Sequence, residues 1–384
     1  VSVNQWRDNL SLSVNGKVDA SNEDAFTQFL LGHLPMLLHP QAKRVFVIGM
    51  GSGSTLSAVA AHPVQRIDCV EIEKAVVEGA LFFSRLNRNV LRDERVRVFI
   101  NDGRNMLRLM PDTYDVIISE PSNPWMAGVA NLFSYEHYQT MRSRLNPDGV
   151  VCQWLHAYSM SPEDLKMIVR TFTLVFEDVS LWAAYYPDLM LIGRREARPV
   201  DFRHIRNSFR NPVVRGDLWP HGVRRPEGFF ASFWLGDADL RRLGEGARVN
   251  SDNHPYLEFS APRYLYRDTA MDNFTMLNIY RREEYPAIAH LYPPVERNTA
   301  FYDAVARALI GQRLYDRAER FLERSNEIRP GHAEYLELAG RAQFERGNPA
   351  AAEEFLSRAV AVRPESAEAR LFLGRILARK GENE

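Results

Sequence analysis

The sequence predicts an α/β fold: an open, mostly parallel sheet covered by helices, followed by an α-helical repeat module. Three observations carry this. Apolar strand runs alternate with helical patterns between residues 41 and 195. The first four strands of that series each end on glycine or a carboxylate. The last stretch, from residue 295 to residue 384, repeats itself with a period of 34.

The series opens at Val45-Phe46-Val47-Ile48, which runs into Gly49-Met50-Gly51-Ser52-Gly53. Strands are expected at 45–49, 66–71, 95–100, 114–119 and 149–154. Helices are expected at 54–61, 73–88, 103–110, 134–145 and 162–176. Right-handed crossovers lay such a series into one parallel sheet. Val179–Ala184 and Leu189–Gly193, around Tyr185-Tyr186-Pro187-Asp188, break the alternation as a hairpin. They predict an antiparallel edge, as in the S-adenosylmethionine-dependent methyltransferase version of the Rossmann-like sheet.

The flanks differ in pattern. In residues 1–40, Ser11-Leu12-Ser13-Val14 alternates, Asn15-Gly16 signals a hairpin and Lys17-Val18-Asp19-Ala20 returns. Phe26, Phe29, Leu30, Leu34 and Leu37 then recur at helical spacing. Residues 196–294 are rich in Arg, Pro and aromatics. They predict an accessory segment of loops, short helices (one at Asp237–Leu243) and a strand, packed on the sheet domain and closed by a connector at Tyr292-Pro293-Pro294. In residues 295–384, Ile328-Arg329-Pro330 recurs as Val362-Arg363-Pro364, and Gly340 and Gly347 recur as Gly374 and Gly381. That spacing is the tetratricopeptide signature: two repeats and the first helix of a third, a module for protein contacts.

Composition narrows the function. Formal net charge is −1 with the signs interspersed, which gives no electrostatic case for nucleic acid. Cys69 and Cys152 lie in or beside apolar strands and read as buried thiols of a reducing, cytoplasmic compartment. No window reaches the ~18–20 apolar residues of a membrane span. The chain begins at Val1, so membrane association through an upstream segment is left open. No GxxxxGK[ST] loop, metal-ligand spacing or G-x-S-x-G elbow is present, so no metal is expected.

The strand ends carry the chemistry. Gly49, Gly51 and Gly53 permit a tight turn and close approach of backbone to ligand. Glu71, about 22 residues downstream of the first of them, has the spacing of a carboxylate that accepts both ribose hydroxyls. Asp102, followed by Gly103, can cap the next helix and accept from an adenine amino group. These residues predict an adenosine-containing ligand. The fourth strand end, Glu120-Pro121-Ser122-Asn123, supplies a further carboxylate.

As a set, these runs resemble the spermidine synthase (polyamine aminopropyltransferase) family, in particular spermidine-synthase-like proteins often fused to a membrane segment. The resemblance covers residues 10–195. It rests on Asn15-Gly16-Lys17-Val18-Asp19-Ala20-Ser21, Leu31-Gly32-His33-Leu34-Pro35, Val47 to Gly53, Val70-Glu71-Ile72-Glu73, Asn101-Asp102-Gly103-Arg104 and Ile118 to Trp125. Phe133, Tyr135, Tyr138, Pro147-Asp148-Gly149 and Gln153-Trp154-Leu155-His156 continue it, as does the segment around Ser251-Asp252-Asn253-His254-Pro255 and Glu258.

The resemblance implies polyamine biosynthesis: transfer from an S-adenosyl donor, S-adenosylmethionine or its decarboxylated form, to an amine acceptor. It also implies a homodimer, an arrangement the repeats could block. Glu120 corresponds to the family's first gate-loop aspartate and is expected as base or amine-binding carboxylate. Asn123, Trp125, His156 and Tyr158 are expected at the acceptor site. Two family carboxylates are replaced, one by Ser52 in the glycine loop and one by Asn123. Each lost charge-assisted bond weakens a propylammonium by ~1.5–3 kcal/mol. Aminopropyl, aminocarboxypropyl and methyl transfer all fit the kept residues, and a non-catalytic module that binds an S-adenosyl metabolite is the reading from another class.

Overall fold

The computed structural model describes residues 1–184, 187–281 and 298–381. The expected turn at Tyr185-Tyr186 and the connector at Tyr292-Pro293-Pro294 lie outside the described residues. The chain divides into two compact units. The first is Val1–Asp217 with the described part of Ser232–Leu291, and the second is Leu218–Ala231 with the described part of Tyr292–Glu384.

In the first unit, β1 (Ser2–Trp6), β2 (Asn9–Val14) and β3 (Lys17–Ser21) form a three-stranded antiparallel sheet. Strand β1 adds to the expected hairpin. Its side chains are mostly exposed, so it lacks the apolar alternation that reveals a strand. The main sheet comprises β4 (Arg44–Ile48), β5 (Arg66–Glu71), β6 (Val96–Ile100), β7 (Tyr114–Ser119), β8 (Leu145–His156), β9 (Asp178–Ala183), β10 (Asp188–Arg194) and β11 (Phe233–Leu235). Its order is β11-β9-β10-β8-β7-β4-β5-β6. Strands β4 to β8 pair in parallel, and β8, β10, β9 and β11 pair antiparallel. This is the Rossmann-like sheet with an antiparallel terminal hairpin. The inner strands read as unbroken apolar runs because both faces are covered; Val45, Phe46, Val47, Ile117 and Ile118 are fully buried.

Helices α1 (Ala25–Leu38), α2 (Ser54–Ala60), α3 (Lys74–Ala80), α4 (Gly103–Leu109), α5 (Tyr135–Arg144) and α6 (Pro162–Thr173) cover the sheet. Every residue of α1 is buried, which accounts for a helix apolar nearly all round. The helix expected over 73–88 is α-helical to Ala80 and tightens into a 3-10 turn over Leu81–Phe83. The Asn87 side-chain amide donates to the Ala80 and Ser52 carbonyls, 2.8 Å each, and so caps the α-helical part. Arg88 and Asn89 beyond it are left-handed. Strand order reverses between β4 and β7, the point where open α/β sheets bind ligands. None of the described helices is long and apolar enough to cross a membrane.

In the second unit, α7 (Thr299–Gly311), α8 (Tyr315–Ile328), α9 (Ala333–Glu345), α10 (Pro349–Val362) and α11 (Ala367–Gly381) are the repeat helices. A side chain at Gly340 would meet Leu356 Cγ at 2.6 Å, so glycine marks a close helix crossing. The expected accessory segment 196–294 does not stay together. Residues 218–231 pack on the first repeat helix instead: Phe230 meets Phe301 at 6.1 Å, and Gly222 lies so near Ala308 that an added Cβ would fall 3.0 Å from its Cα. Apolar side chains of that stretch complete the repeat core.

Candidate active site

A cavity of about 820 Å3 opens over the carboxyl ends of β4, β5 and β7, and residues of β2, β3 and the start of α1 wall it. That volume is in the range of sites that enclose a ligand of nucleoside size or larger. Gly49 and Gly51 line it with φ of +91° and +52°. Gly53 does not line it. It starts α2 with φ +80° and lies against Asn87, so its role is the turn.

The Glu71 side chain is tied down at the end of β5. One oxygen accepts the Met50 N–H and the other the Glu73 N–H, both at 3.0 Å. Burial raises its pKa despite these donors. Each oxygen keeps a lone pair for a ligand hydroxyl. Asp102 caps α4 by accepting the Asn105 N–H at 2.7 Å, and it lines the cavity together with Gly103. A side chain at Gly103 would fall 2.5 Å from Ile48 Cγ2, so glycine lets α4 pack against β4. Ile72, Val129 and Leu132 add apolar wall.

Across the cavity stands Glu120. Its Oε2 accepts from, or donates to, the Thr55 hydroxyl at 2.7 Å. Burial pushes its pKa up to about 8, and the carboxylates of Asp24, Asp188 and Glu71 push the same way. Asp24 Oδ1 accepts from Ser21 N–H (2.7 Å), the Ser21 hydroxyl (2.9 Å) and the Gln28 side-chain amide (2.9 Å). Asp188 accepts the Thr27 hydroxyl at 2.9 Å, and burial raises it to about 6. Both line the cavity, and neither was singled out in the sequence. Asp24 sits in a polar pre-helix run and Asp188 at a hairpin, where acids are ordinary. Only the third dimension turns them toward Glu120.

The gate-loop residues divide. Asn123 and Tyr158 line the cavity, and the Asn123 amide donates to the Tyr158 hydroxyl at 3.0 Å. Asn123 Oδ1 is buried without a hydrogen-bond partner among the described residues, an acceptor awaiting a donor. His156 and Trp125 do not line the cavity. His156 is fully buried behind Tyr158, their rings 4.4 Å apart, with Trp125 edge-on to it at 4.9 Å. Burial pushes the His156 pKa down to about 3, so it is a packed neutral imidazole that supports the wall. Ser52 points away too, bonded to the Gln28 side chain and, at 2.7 Å, to Ser54.

The loop after β7 is anchored from outside. Asn250 donates to the Ala130 and Phe133 carbonyls at 3.2 Å, and Glu258 accepts the Gly128 N–H at 3.0 Å. Asp252 pairs with Arg104. Asp252 and Glu258 therefore hold neighbouring elements in place. At the opposite ends of the strands, His39, Asp115 and Asp148 offer three ligand-type atoms within 4.8 Å of one another. His39 Nε2 lies 3.7 Å from Asp148 Oδ1, while His39 Nδ1 accepts the Gln41 N–H and Asp115 accepts the Lys43 and Arg44 N–H groups.

The spermine/spermidine synthase domain family matches residues 24–193, and the tetratricopeptide repeat family matches 304–361 and 339–384. Spermidine synthase of Dictyostelium discoideum is 34% identical over 152 residues, covering 38% of this chain and 53% of that protein. Polyamine aminopropyltransferase of Aeropyrum pernix is 32% identical over 274 residues, covering 69% of this chain and 82% of that protein. The crystal structure of spermidine synthase from Thermotoga maritima aligns with TM-score 0.48 at 22% identity, over 64% of this chain and 87% of that one. Against several other curated relatives the chain spans 50% to 64% of their length. The chain belongs to the spermidine synthase (polyamine aminopropyltransferase) family, extended by tetratricopeptide repeats.

Proposed function

We propose that this chain transfers an aminopropyl group from decarboxylated S-adenosylmethionine to an amine acceptor. Glu71 and Asp102 hold the nucleoside, and Glu120 takes the proton. The observation that carries the reading is the grouping of Glu120, Asp24 and Asp188 on one cavity. Two family carboxylates are missing at Ser52 and Asn123, and Asp24 and Asp188 bring negative charge back from α1 and β10. Three basic side chains line the cavity too: Lys17 and Arg104 pair with Asp19 and Asp252, and Arg108 belongs to α4, the helix that Asp102 caps on the nucleoside side. An α-carboxylate on the donor would meet carboxylates; a propylammonium meets partners. Ordinary S-adenosylmethionine is therefore disfavoured, and methyl and aminocarboxypropyl transfer with it.

The step is a displacement. The amine nitrogen attacks the carbon bonded to sulfur, the C–S bond breaks, and its electrons neutralise the sulfonium as methylthioadenosine leaves. An alkylammonium has a pKa near ~10, so the nitrogen must first lose a proton. Glu120, with its pKa near 8, is a far stronger base than an exposed carboxylate. The Asn123 carbonyl oxygen is free to accept an amine N–H.

The test is Glu120→Gln. Methylthioadenosine formation from the decarboxylated donor and a diamine should fall by about 10²–10⁴, while calorimetric affinity for methylthioadenosine changes little. Turnover by the variant at the wild-type rate, or tighter binding of ordinary S-adenosylmethionine than of its decarboxylated form, would overturn the reading.

A further inference from the structure

Thr55 has one hydroxyl hydrogen and two oxygen neighbours. The Gln28 carbonyl lies 3.1 Å from Oγ1, and Glu120 Oε2 lies 2.7 Å from it. A carbonyl only accepts, and an ionised carboxylate only accepts. Both contacts are hydrogen bonds at once when Glu120 carries a proton on Oε2 and donates it to Thr55, which donates in turn to Gln28. The 2.7 Å separation is typical of O–H···O bonds. Thr55 is 2% exposed, so bulk water does not relieve the count.

The groups around Glu120 favour that proton. Asp24 at the start of α1, Asp188 on β10 and Glu71 on β5 are carboxylates. Cys69 on β5 and Cys152 on β8 lie near it as thiols that burial keeps neutral. His156 on β8 is neutral as well. Tyr158 is raised by burial and stays a phenol. Lys17 on β3 is paired with Asp19.

We propose that Thr55 is a positioning residue that accepts a hydrogen bond from a protonated Glu120 in the empty cavity and, by turning its own hydrogen to the carboxylate, eases release of that proton when a cationic amine enters. The proposal rests on the aminopropyl-transfer reading. On entry, the Glu120 carboxyl and the ammonium become a carboxylate–ammonium pair, and one proton passes to solvent. Thr55 then turns its hydrogen from Gln28 to Glu120; the Gln28 carbonyl lies within α1, where the helix supplies its own N–H donor. Inside the pair a proton moves from nitrogen to Glu120, and the neutral amine attacks. Glu120 ends the cycle protonated, as it began. The proton released on binding is the net proton of the reaction, because ammonium plus sulfonium gives one substituted ammonium and a thioether.

The test uses the full chain saturated with methylthioadenosine. Titration with butane-1,4-diamine at pH 7, in phosphate and in Tris, reads the protons released, and about one per site is expected. In protein carrying glutamate labelled with carbon-13 at the carboxyl, Glu120 is assigned by the signal missing from Glu120→Gln. It should titrate near pH 8 in the empty protein. Thr55→Val should move that midpoint up by about one unit, since a charge-assisted bond to the ionised form outweighs a neutral one. Thr55→Ser should restore it. An ionised Glu120 at pH 6, no proton release, or a midpoint unmoved in Thr55→Val overturns the inference. Lack of turnover with the titration as expected would instead sink the transfer reading.

Discussion

A side-chain carbon on Gly49 would lie 2.3 Å from the Glu120 carbonyl oxygen, so the ends of β4 and β7 touch main chain to main chain. The Glu120 N–H also donates to the Ile48 carbonyl at 2.9 Å. The glycine turn therefore sets the position of Glu120 as well as room for a nucleoside. Gly49→Ala must push Glu120 away and adopt φ +91°, which together should cost about 2–4 kcal/mol of stability. Per folded molecule, turnover should fall at least tenfold. Gly53→Ala should also destabilise, but it strains the turn against Asn87 and should leave turnover per folded molecule near wild type. Urea denaturation with rates normalised to the folded fraction separates the two; equal losses of turnover would refute the distinction.

Glu71 is held by the main-chain N–H groups of Met50 and Glu73, and it lines the cavity. Glu71→Gln replaces one acceptor oxygen by a donor that faces an N–H. Methylthioadenosine affinity should drop by about 10- to 100-fold, the loss of one charge-assisted bond, and the decarboxylated donor should lose as much. Calorimetry measures both. An unchanged dissociation constant would remove Glu71 from the nucleoside site.

These two glycines and Glu71 also show what a sequence can and cannot disclose. Strand ends are legible because apolar runs stop where polar residues begin, so Glu71, Asp102 and Glu120 could be picked out before any fold was known. The hairpin of β9 and β10 and the repeat period were legible for the same reason. Which way a side chain turns was not. Gly53 and Ser52 sit in the same motif as Gly49 yet face the protein interior, because the motif winds into α2 within four residues. Asp24 and Asp188 are 164 positions apart in the chain and meet the cavity through α1 and β10. No local pattern encodes that meeting. Residues 218–231 likewise carry no local mark that they belong with the repeats.

His137 on α5 is fully buried, and neither ring nitrogen has a hydrogen-bond partner among the described residues. Burial holds its pKa down to about 3. Between that value and the unfolded value near ~6.5 the unfolded chain binds a proton that the folded chain refuses, so stability falls as pH drops through this window. At pH 5 the contribution is about 2 kcal/mol. His137→Phe removes this liability. Its loss of stability from pH 8 to pH 5 should be smaller than the wild type's by about that amount, with His137→Leu as a second variant. Urea denaturation at the two pH values checks it, and parallel losses would show that His137 does not titrate as argued.

Arg307 on α7 joins the repeats through buried charge. Its guanidinium donates to Glu334 and Glu337 at 2.8 Å each and also to Glu368, while Arg363 reaches Glu337 at 2.7 Å and Arg341 reaches Glu368 at 3.0 Å. Burial alone would raise the Glu337 carboxyl, but the Ser366 hydroxyl, Arg307 and Arg363 outweigh it and hold the pKa low. A depressed carboxyl adds stability above its unfolded pKa and loses it as pH falls through the folded one. Arg307→Met keeps bulk but leaves three carboxylates short of a partner, a change that costs about 3–5 kcal/mol when a buried ion pair is broken. Amide exchange of peptides from residues 299–381, measured in the full chain at neutral pH, should quicken at least a hundredfold. Lowering the pH toward 4 should narrow the gap between variant and wild type, because acid removes the same interactions from the wild type. An exchange rate within a fewfold of wild type would show that the surrounding arginines already neutralise the cluster.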